Sequence, residues 1–334
     1  MTDSQRVLVY GASGHTGKFV VDEFLRRGLQ PLVAGRSLSR LEQSEGLDRR
    51  AASIDDGPGL RALLRDVAVV VNCAGPFLDT ALPLATAAVE TGTHYLDVTA
   101  EQPAVQQLYR ELDAAARSAG TVVVPAMAFY GGLADLLLTA VLGPGKSAAE
   151  AEIAVGLDRW WPTEGTRVTG ARNTATRLVI RDGALVPLSA PAATGTWDFP
   201  EPIGAQSTVE LPFSEAVTVN RHLEVGTLRS WLNTAPLDDL RDPGTPAPQA
   251  FDESGRSAQR FAVEVAVGSG PQTRRATATG RDIYATTAPI VVEATAWLLD
   301  SRHRGSGALA PGEAFAAADF LKAIPDADFE AVWH

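Results

Sequence analysis

The stretch Gly11-Ala12-Ser13-Gly14-His15-Thr16-Gly17 decides the fold of the N-terminal part of this chain. It follows the apolar run Val7–Val9 and opens a segment whose small and apolar residues share one face of a 3.6-residue period: Gly17, Val20, Val21, Phe24, Leu25 and Gly28. The first glycine allows a tight turn, the middle one lets a diphosphate approach the backbone, and the last lets the helix pack on the strand. Free N–H groups at the helix start attract phosphate.

The loop therefore predicts a dinucleotide-binding strand–turn–helix unit. Glycine is common in this chain, with 30 residues, so the flanking strand and helix carry the prediction. The expected cofactor contacts in the loop are Gly11, Ser13, Gly14, His15, Thr16 and Gly17. The alternative is a glycine turn that binds no ligand.

The rest of the first 125 residues alternates strand and helix patterns. Strands are predicted at Val7–Val9, Pro31–Ala34, Ala51–Ile54, Val67–Val71, His94–Val98 and Thr121–Val124. Helices are predicted at Gly17–Gly28, Leu38–Ser44, Leu60–Arg65, Leu82–Glu90 and Val105–Ala119. Repeated β-α units of this length predict an α/β fold with a doubly wound parallel sheet.

The composition changes after about Ala126, where β-branched segments are separated by Gly, Pro, Asp and Asn. This pattern favours a mostly antiparallel sheet with helices, that is, an α+β second domain. The predicted strands include Ala151–Leu157, Arg177–Ile180, Thr208–Leu211 and Arg260–Val267. Asp238–Gly255 is expected to be a surface loop, and helices are predicted at Ala288–Leu299 and Pro311–Leu321.

The overall composition excludes several classes of function. The 334 residues include 29 Lys and Arg against 40 Asp and Glu, a formal charge of −11, so we expect no nucleic-acid partner. No unbroken apolar stretch approaches the length of a membrane span, and the N-terminus lacks the apolar region of a signal peptide. Cys73 is the one cysteine, and no histidines have metal-ligand spacing. We expect a cytoplasmic protein without a membrane segment or a metal.

The end of the second strand, Val33-Ala34-Gly35-Arg36-Ser37, predicts the type of cofactor. NAD enzymes usually carry an acidic residue here, bonded to the ribose 2′-OH. This chain has Arg36 and Ser37 instead, and a guanidinium pairs well with a 2′-phosphate, so we predict NADP rather than NAD. The alternative for Arg36 is an exposed surface arginine.

Two further strand ends complete the predicted cofactor site. Asp55, after the third strand, either accepts from the adenine amino group or caps the next helix. After the fourth strand, the turn Cys73, Ala74, Gly75 and Pro76 has small side chains, against which a nicotinamide ribose can lie. Cys73 has no neighbouring base in sequence to activate it, so we interpret it as a small packed residue rather than a nucleophile.

A proton donor for hydride chemistry must lie at the carboxyl ends of the fifth and sixth strands. Asp97 and Glu101 stand on one strand-to-helix turn and can serve a proton relay. Alternatively, Asp97 is buried and holds the loop, while Glu101 accepts N–H groups at a helix start. Tyr130 precedes two glycines on a loop that should face the cleft, as a proton donor or as a packing residue. Asp97 and Tyr130 are the candidate catalytic residues.

Several motifs together resemble the saccharopine dehydrogenase-like oxidoreductase family, which includes proteins described as trans-acting enoyl reductases. The motifs are Gly11–Gly17, Val70–Phe77, Gly92–Glu101, Tyr284–Ala288 and Leu309–Phe315. The resemblance implies a Rossmann domain at 1–127, a substrate or dimerisation α+β domain inserted at 128–283, and C-terminal helices at 284–334 that return to complete the Rossmann domain. The chain departs from the family pattern at Ala100 and in the run Ala126–Gly132.

The resemblance also implies NADP-dependent chemistry at the cleft. The leading hypothesis is an oxidoreductase that transfers hydride to or from a small organic substrate with an imine, carbonyl or enoyl group. The alternative is a non-catalytic NADP-binding sensor or partner protein. By analogy with related folds, a homodimer is expected.

Overall fold

The computed structural model describes residues 6–41, 46–143, 147–268, 273–326 and 329–333. Its strands form two sheets. The first sheet is parallel throughout, with the order β15-β6-β5-β4-β1-β2-β3. Its strands are β1 Val7–Tyr10, β2 Leu32–Gly35, β3 Arg49–Ala51, β4 Val69–Asn72, β5 His94–Asp97, β6 Val122–Val124 and β15 Gly307–Ala308. The order reverses beside β1, as it does in doubly wound sheets.

The second sheet is mixed: β12 pairs parallel with β7, and all other described strand pairs of this sheet are antiparallel. Its strands are β7 Ser147–Leu157, β8 Leu178–Arg181, β9 Ala184–Pro187, β10 Thr194–Asp198, β11 Ala205–Glu210, β12 Glu224–Asn233, β13 Arg260–Val267, β14 Arg274–Arg281 and β16 Phe329–Trp333. The predicted α/β fold with an inserted α+β domain is confirmed.

Helices cover both faces of the first sheet. The helices are α1 His15–Arg26, α2 Gly57–Leu64, α3 Phe77–Thr91, α4 Gln102–Ala119, α5 Ala134–Leu142, α6 Glu164–Arg172, α7 Glu215–His222, α8 Ala235–Arg241, α9 Ile283–Leu299, α10 Pro311–Ala314 and α11 Ala317–Ala323. One apolar core contains Phe24 of α1 and Ile290 of α9. The other contains Leu60, Leu84 and Leu108 of α2, α3 and α4. Strand β1 is buried along its whole length, as expected for a central parallel strand.

The C-terminal segment serves both sheets. Helix α9 packs on α1, and β15 extends the first sheet by pairing with β6. The last described residues differ from the prediction that 284–334 are helices of the Rossmann domain, because β16 pairs with β14 in the second sheet. Phe329, Ala331 and Trp333 alternate along β16 and pack against the core, which is the period of a half-buried strand.

Several local predictions differ from the structure in their bounds. The third strand is Arg49–Ala51 rather than Ala51–Ile54, because Asp56 N–H bonds back to the Ser53 carbonyl in a turn. The predicted helix Leu38–Ser44 begins as a 3₁₀ turn at Leu38–Leu41, and 42–45 lie outside the described residues. The predicted loop Asp238–Gly255 begins inside α8, and the predicted helix Pro311–Leu321 is two helices separated by extended Phe315.

Candidate functional site

The glycine loop lies at the carboxyl end of β1, between β2 and β4. Gly11 has φ +84°, and its N–H bonds to the Ala34 carbonyl at 2.8 Å. A Cβ at Gly11 would stand 2.7 Å from the Ala74 backbone nitrogen, and a Cβ at Gly17 would overlap the Gly11 carbonyl oxygen. Only glycine allows this close packing of loop, helix and neighbouring turn.

The start of α1 has the features of a phosphate site. Gly14 is the N-cap residue and has no capping side chain, and no acidic residue lies in the first turn. The first helical hydrogen bond joins Lys18 N–H to the Gly14 carbonyl at 3.0 Å, so His15 and Thr16 direct N–H groups out of the helix end. Ser13 and Gly14 are exposed. An exposed, uncapped N-terminus fits the diphosphate of a dinucleotide.

The ends of β2 and β3 lie side by side beyond the loop. Arg36 is exposed, and within the described part of the chain neither a hydrogen bond nor an ion pair engages its guanidinium. Ser37 Oγ lies 2.8 Å from Ser39 Oγ. Asp56, not Asp55, caps α2 by accepting from Gly59 N–H at 3.0 Å. Asp55 is exposed, which leaves its carboxylate available for an adenine contact.

The turn after β4 is held by the side chain of Asn72. Asn72 Oδ1 accepts from Ala74 N–H at 3.0 Å, and Gly75–Pro76 is a cis peptide. Cys73 is partly buried, and burial, followed by the Asp97 carboxylate, raises the pKa of its thiol. A thiol held neutral is a poor nucleophile, which agrees with the interpretation of Cys73 as a packing residue.

Asp97 is fully buried at the end of β5, and both of its carboxylate oxygens are engaged. Oδ1 accepts from Thr99 N–H at 3.0 Å and Ala126 N–H at 2.8 Å, and Oδ2 accepts from Tyr95 Oη at 3.0 Å. Burial raises the pKa of Asp97 to about 6. These contacts fit the structural alternative, in which Asp97 joins the ends of β5 and β6, better than they fit a catalytic acid.

Glu101 also has a structural role, but it caps the start of α3 rather than that of the helix that follows it in sequence. Its Oε1 accepts from Phe77 N–H at 2.8 Å and its Oε2 from Leu78 N–H at 3.3 Å. The buried carboxylate therefore satisfies the start of α3, and α3 begins at Phe77 rather than at the predicted Leu82. Desolvation raises the pKa of Glu101.

Tyr130 lies in a kinked π turn, Phe129–Leu133, just past the carboxyl end of β6. Its ring lies 4.2 Å from the ring of Phe213 and 5.8 Å from that of Trp160, between centroids. Its hydroxyl is buried and has no hydrogen-bond partner among the described residues. Desolvation raises the pKa of Tyr130 well above its ordinary value, so the phenol keeps its proton. An unpartnered buried donor at this edge is what a bound substrate would satisfy.

A second tyrosine, Tyr284, connects the glycine loop to the second domain. Its hydroxyl accepts from Trp160 Nε1 at 3.0 Å and from Thr163 N–H at 3.3 Å, and lies 2.9 Å from Thr166 Oγ1. Its ring lies 5.3 Å from that of His15. The Tyr284–Ala288 motif gives no sign of the contact with Trp160, because 124 residues separate the two side chains along the chain.

Helix α6 lies over the turn after β4. A Cβ on Gly75 would stand 3.0 Å from Thr169 Oγ1, and Arg172 pairs with Asp79 at 2.9 Å. Gln102, at the start of α4, bonds the Leu178 and Phe213 backbone and fixes the second domain from the other side. The two domains thus meet at the carboxyl edge of the first sheet.

A cavity of about 390 Å³ opens in the second domain beside Tyr130. Two residues that pack on the Tyr130 ring, Trp160 and Phe213, are part of its lining, and Arg177 is its partly buried cation. Nothing in the local sequence around Arg177 indicates this position, because the strand pattern there also fits an exposed arginine.

Two other classes of site can be assessed from the described ranges. No helix in them is long and apolar enough to cross a bilayer. No three His, Cys, Asp or Glu side chains in them converge in a way that could hold a metal ion.

The glycine loop, the open helix start and the doubly wound sheet define a nucleotide-binding protein of the Rossmann class. The sequence profile of the saccharopine dehydrogenase NADP-binding domain matches residues 7–124. The nucleotide-binding part of the chain is thus similar to that domain, and the predicted resemblance to saccharopine dehydrogenase-like oxidoreductases is confirmed.

Known proteins resemble part of this sequence, and a solved structure shares its fold. The lipid droplet localized protein of Caenorhabditis elegans is 32% identical over 146 residues, 39% of this chain and 34% of the relative. The saccharopine dehydrogenase-like oxidoreductase of Bos taurus is 28% identical over 152 residues, 39% and 35% of the two chains. The alignment thus spans about a third of these relatives. The apo saccharopine dehydrogenase (L-Glu forming) of Saccharomyces cerevisiae shares the fold over 99% of this chain and 100% of that one, with TM-score 0.67 and 15% identity.

Proposed function

We propose that this protein is an NADP-dependent oxidoreductase that acts on a small organic substrate with an imine, carbonyl or activated alkene group. The observation that carries the proposal is the uncapped N-terminus of α1 at Gly14, beside an exposed Arg36 that pairs with no carboxylate of the described residues. The first feature suits a diphosphate and the second a 2′-phosphate.

The chain's own residues then have separable tasks. Gly11, Gly14 and the start of α1 hold the diphosphate, and Arg36 holds the 2′-phosphate. NADPH held there would supply the hydride for reduction of the substrate double bond. Tyr130 gives its phenolic proton to the heteroatom, or to the second carbon of an alkene, and regains a proton from water. Asp97 holds the loop that carries this tyrosine, through Ala126 and Met127.

Titration with NADPH and NADH, followed by cofactor fluorescence, tests the choice of cofactor. Arg36→Ala should weaken NADPH binding about 10- to 100-fold, the value of a charge-assisted phosphate contact, and leave NADH binding unchanged. Arg49→Ala is the matched control, since Arg49 is exposed at the opposite end of the sheet, where β3 begins. Equal affinity for both cofactors, unaffected by Arg36→Ala, would refute the NADP assignment.

Turnover is tested by NADPH oxidation with a panel of imines, ketones and enoyl compounds. Gly14→Asp should abolish it, because a carboxylate there would meet the diphosphate. Retained turnover in Gly14→Asp would contradict the proposed site.

A non-catalytic NADP-binding sensor is the second candidate. It is favoured by the engagement of both Asp97 oxygens and by the packing of α6 on the turn at Gly75. Tight NADPH binding without turnover of any panel member would support it. The homodimer and the cytoplasmic location stay predictions, and sedimentation equilibrium tests the first.

A further inference from the structure

We infer that the cavity beside Tyr130 binds an apolar carboxylic acid, whose carboxylate pairs with Arg177. The cavity has a volume of about 390 Å³, within the range of small-molecule sites. Its apolar lining consists of Trp160, Leu188, Ala192, Val209, Leu211, Phe213, Leu237 and Leu240. The polar lining residues are Arg177, Glu210 and Arg241. Such walls recognise a ligand with an apolar body and one charged group.

Arg177 is placed to receive that charge. Nη1 donates to the Pro212 carbonyl at 2.6 Å, and Cζ lies 5.0 Å from the centre of the Phe213 ring. No carboxylate of the described residues lies within ion-pair distance of it. Burial lowers the pKa of Arg177, and the nearby Glu215 carboxylate opposes that effect. A partly buried guanidinium without a direct ion pair is incompletely compensated, so an anion in the cavity would stabilise it.

The other charged groups near the cavity are already engaged. Glu210 pairs with Arg181 at 2.6 Å, and Glu215 accepts from Phe213 N–H at 2.9 Å. Arg241 is exposed at the rim and lies 3.4 Å from Asp238. Arg177 is therefore the cation of the described lining that an incoming carboxylate would meet with little competition.

The position of Phe213 relates this cavity to the reacting end of a substrate. Arg177 lies over the Phe213 ring, and the Tyr130 ring packs on it at 4.2 Å. Tyr130 and Arg177 each contribute to the electrostatic environment of the other. A ligand anchored at Arg177 would thus pack its apolar body against Phe213, the ring that contacts Tyr130. The identification of this ligand as the substrate rests on the proposed function. The prediction that the cavity binds it is independent of that function.

Direct binding to the protein without NADPH tests the inference. Octanoate and 3-phenylpropanoate are titrated by calorimetry and tryptophan fluorescence, since Trp160 is part of the lining, against octanamide and 3-phenylpropanamide. We expect the acids to bind about 10- to 100-fold more tightly than the amides, and Arg177→Met to remove that difference. Arg177→Lys should retain part of it. Arg229→Met, on an exposed residue of β12 outside the lining, should leave it unchanged.

Several outcomes would overturn the inference. These are equal affinity for acid and amide, an unchanged preference in a folded Arg177→Met, or no binding of either acid up to its solubility limit. Thermal unfolding establishes that each variant is folded, and Arg177→Lys replaces Arg177→Met if the latter is not. NADPH titration of the same proteins separates the two proposals. NADPH binding without acid binding refutes the cavity assignment alone, and acid binding without NADPH binding refutes the proposed function alone.

Discussion

Tyr130→Phe should affect stability and activity in opposite ways. The substitution removes one oxygen atom and preserves the ring, with its contacts to Phe129, Phe213 and Trp160 at 4.9, 4.2 and 5.8 Å. A buried hydroxyl without a partner costs about 1–3 kcal/mol, so the free energy of unfolding should stay the same or rise by up to that amount. If the phenol donates the proton, turnover should fall about 10²- to 10⁴-fold.

Urea unfolding, followed by circular dichroism, and NADPH oxidation measure the two effects. Tyr109→Phe is the matched control, because Tyr109 on α4 also has a buried hydroxyl without a partner in the described chain, on the lining of a separate surface pocket. It should likewise preserve stability, and it should leave turnover unchanged. A loss of more than about 1 kcal/mol in Tyr130→Phe would mean that the hydroxyl has a partner in the free protein. Wild-type turnover would make Tyr130 a packing residue.

Three further substitutions test the loop and the buried carboxylates. Gly11→Ala should abolish NADPH binding in a titration. Because its Cβ would meet Ala74, it should also reduce the free energy of unfolding by more than the roughly 1–2 kcal/mol that a left-handed backbone costs. Gly28→Ala is the control and should cost only that strain, since Gly28 has φ +75° and open space around it. The pKa of Asp97 is raised from 3.8 to about 6 in the folded state, so ionisation of Asp97 lowers the free energy of unfolding as the pH rises through that window. Asp97→Asn should therefore reduce the slope of unfolding free energy against pH, measured by urea titrations at several pH values. Glu101→Ala leaves two N–H groups of α3 without their acceptor and should cost about 1–3 kcal/mol of unfolding free energy, while Glu101→Gln, which retains an acceptor, should cost less.

The nucleotide-binding half of the fold was predictable because its signals are local. The strand before Gly11, the periodic helix after it and the apolar run at β4 all lie within short windows of sequence. Hydrophobic period and glycine spacing report on such windows directly. Arg36 lies exposed directly after β2, as predicted, whereas Asp55 lies exposed in the turn between β3 and α2 rather than directly after its strand.

The surroundings of the candidate catalytic residues were less predictable, because their contacts are long-range. Glu101 acts on α3, which lies 23 or 24 residues before it, so a rule about the start of its own helix could not find that partner. Trp160 meets Tyr284 across 124 residues, and Arg177 gains its environment from Pro212 and Phe213, 35 or 36 residues later. The packing of the second domain buries these side chains, and the hydrophobic pattern of the local sequence does not indicate it.

The pairing of β15 with β6 has a consequence for how the protein is made on the ribosome. Gly307 lies opposite Val122, so the outer edge of β6 has no partner until residue 307 has been synthesised. At about 5–20 residues per second, that interval is on the order of 10–40 s. During this time an apolar strand edge is open to wrong pairing with other nascent chains. The first sheet can thus be completed only after residue 307 has been translated, and a nascent chain stalled before that residue would have an unpaired edge at β6.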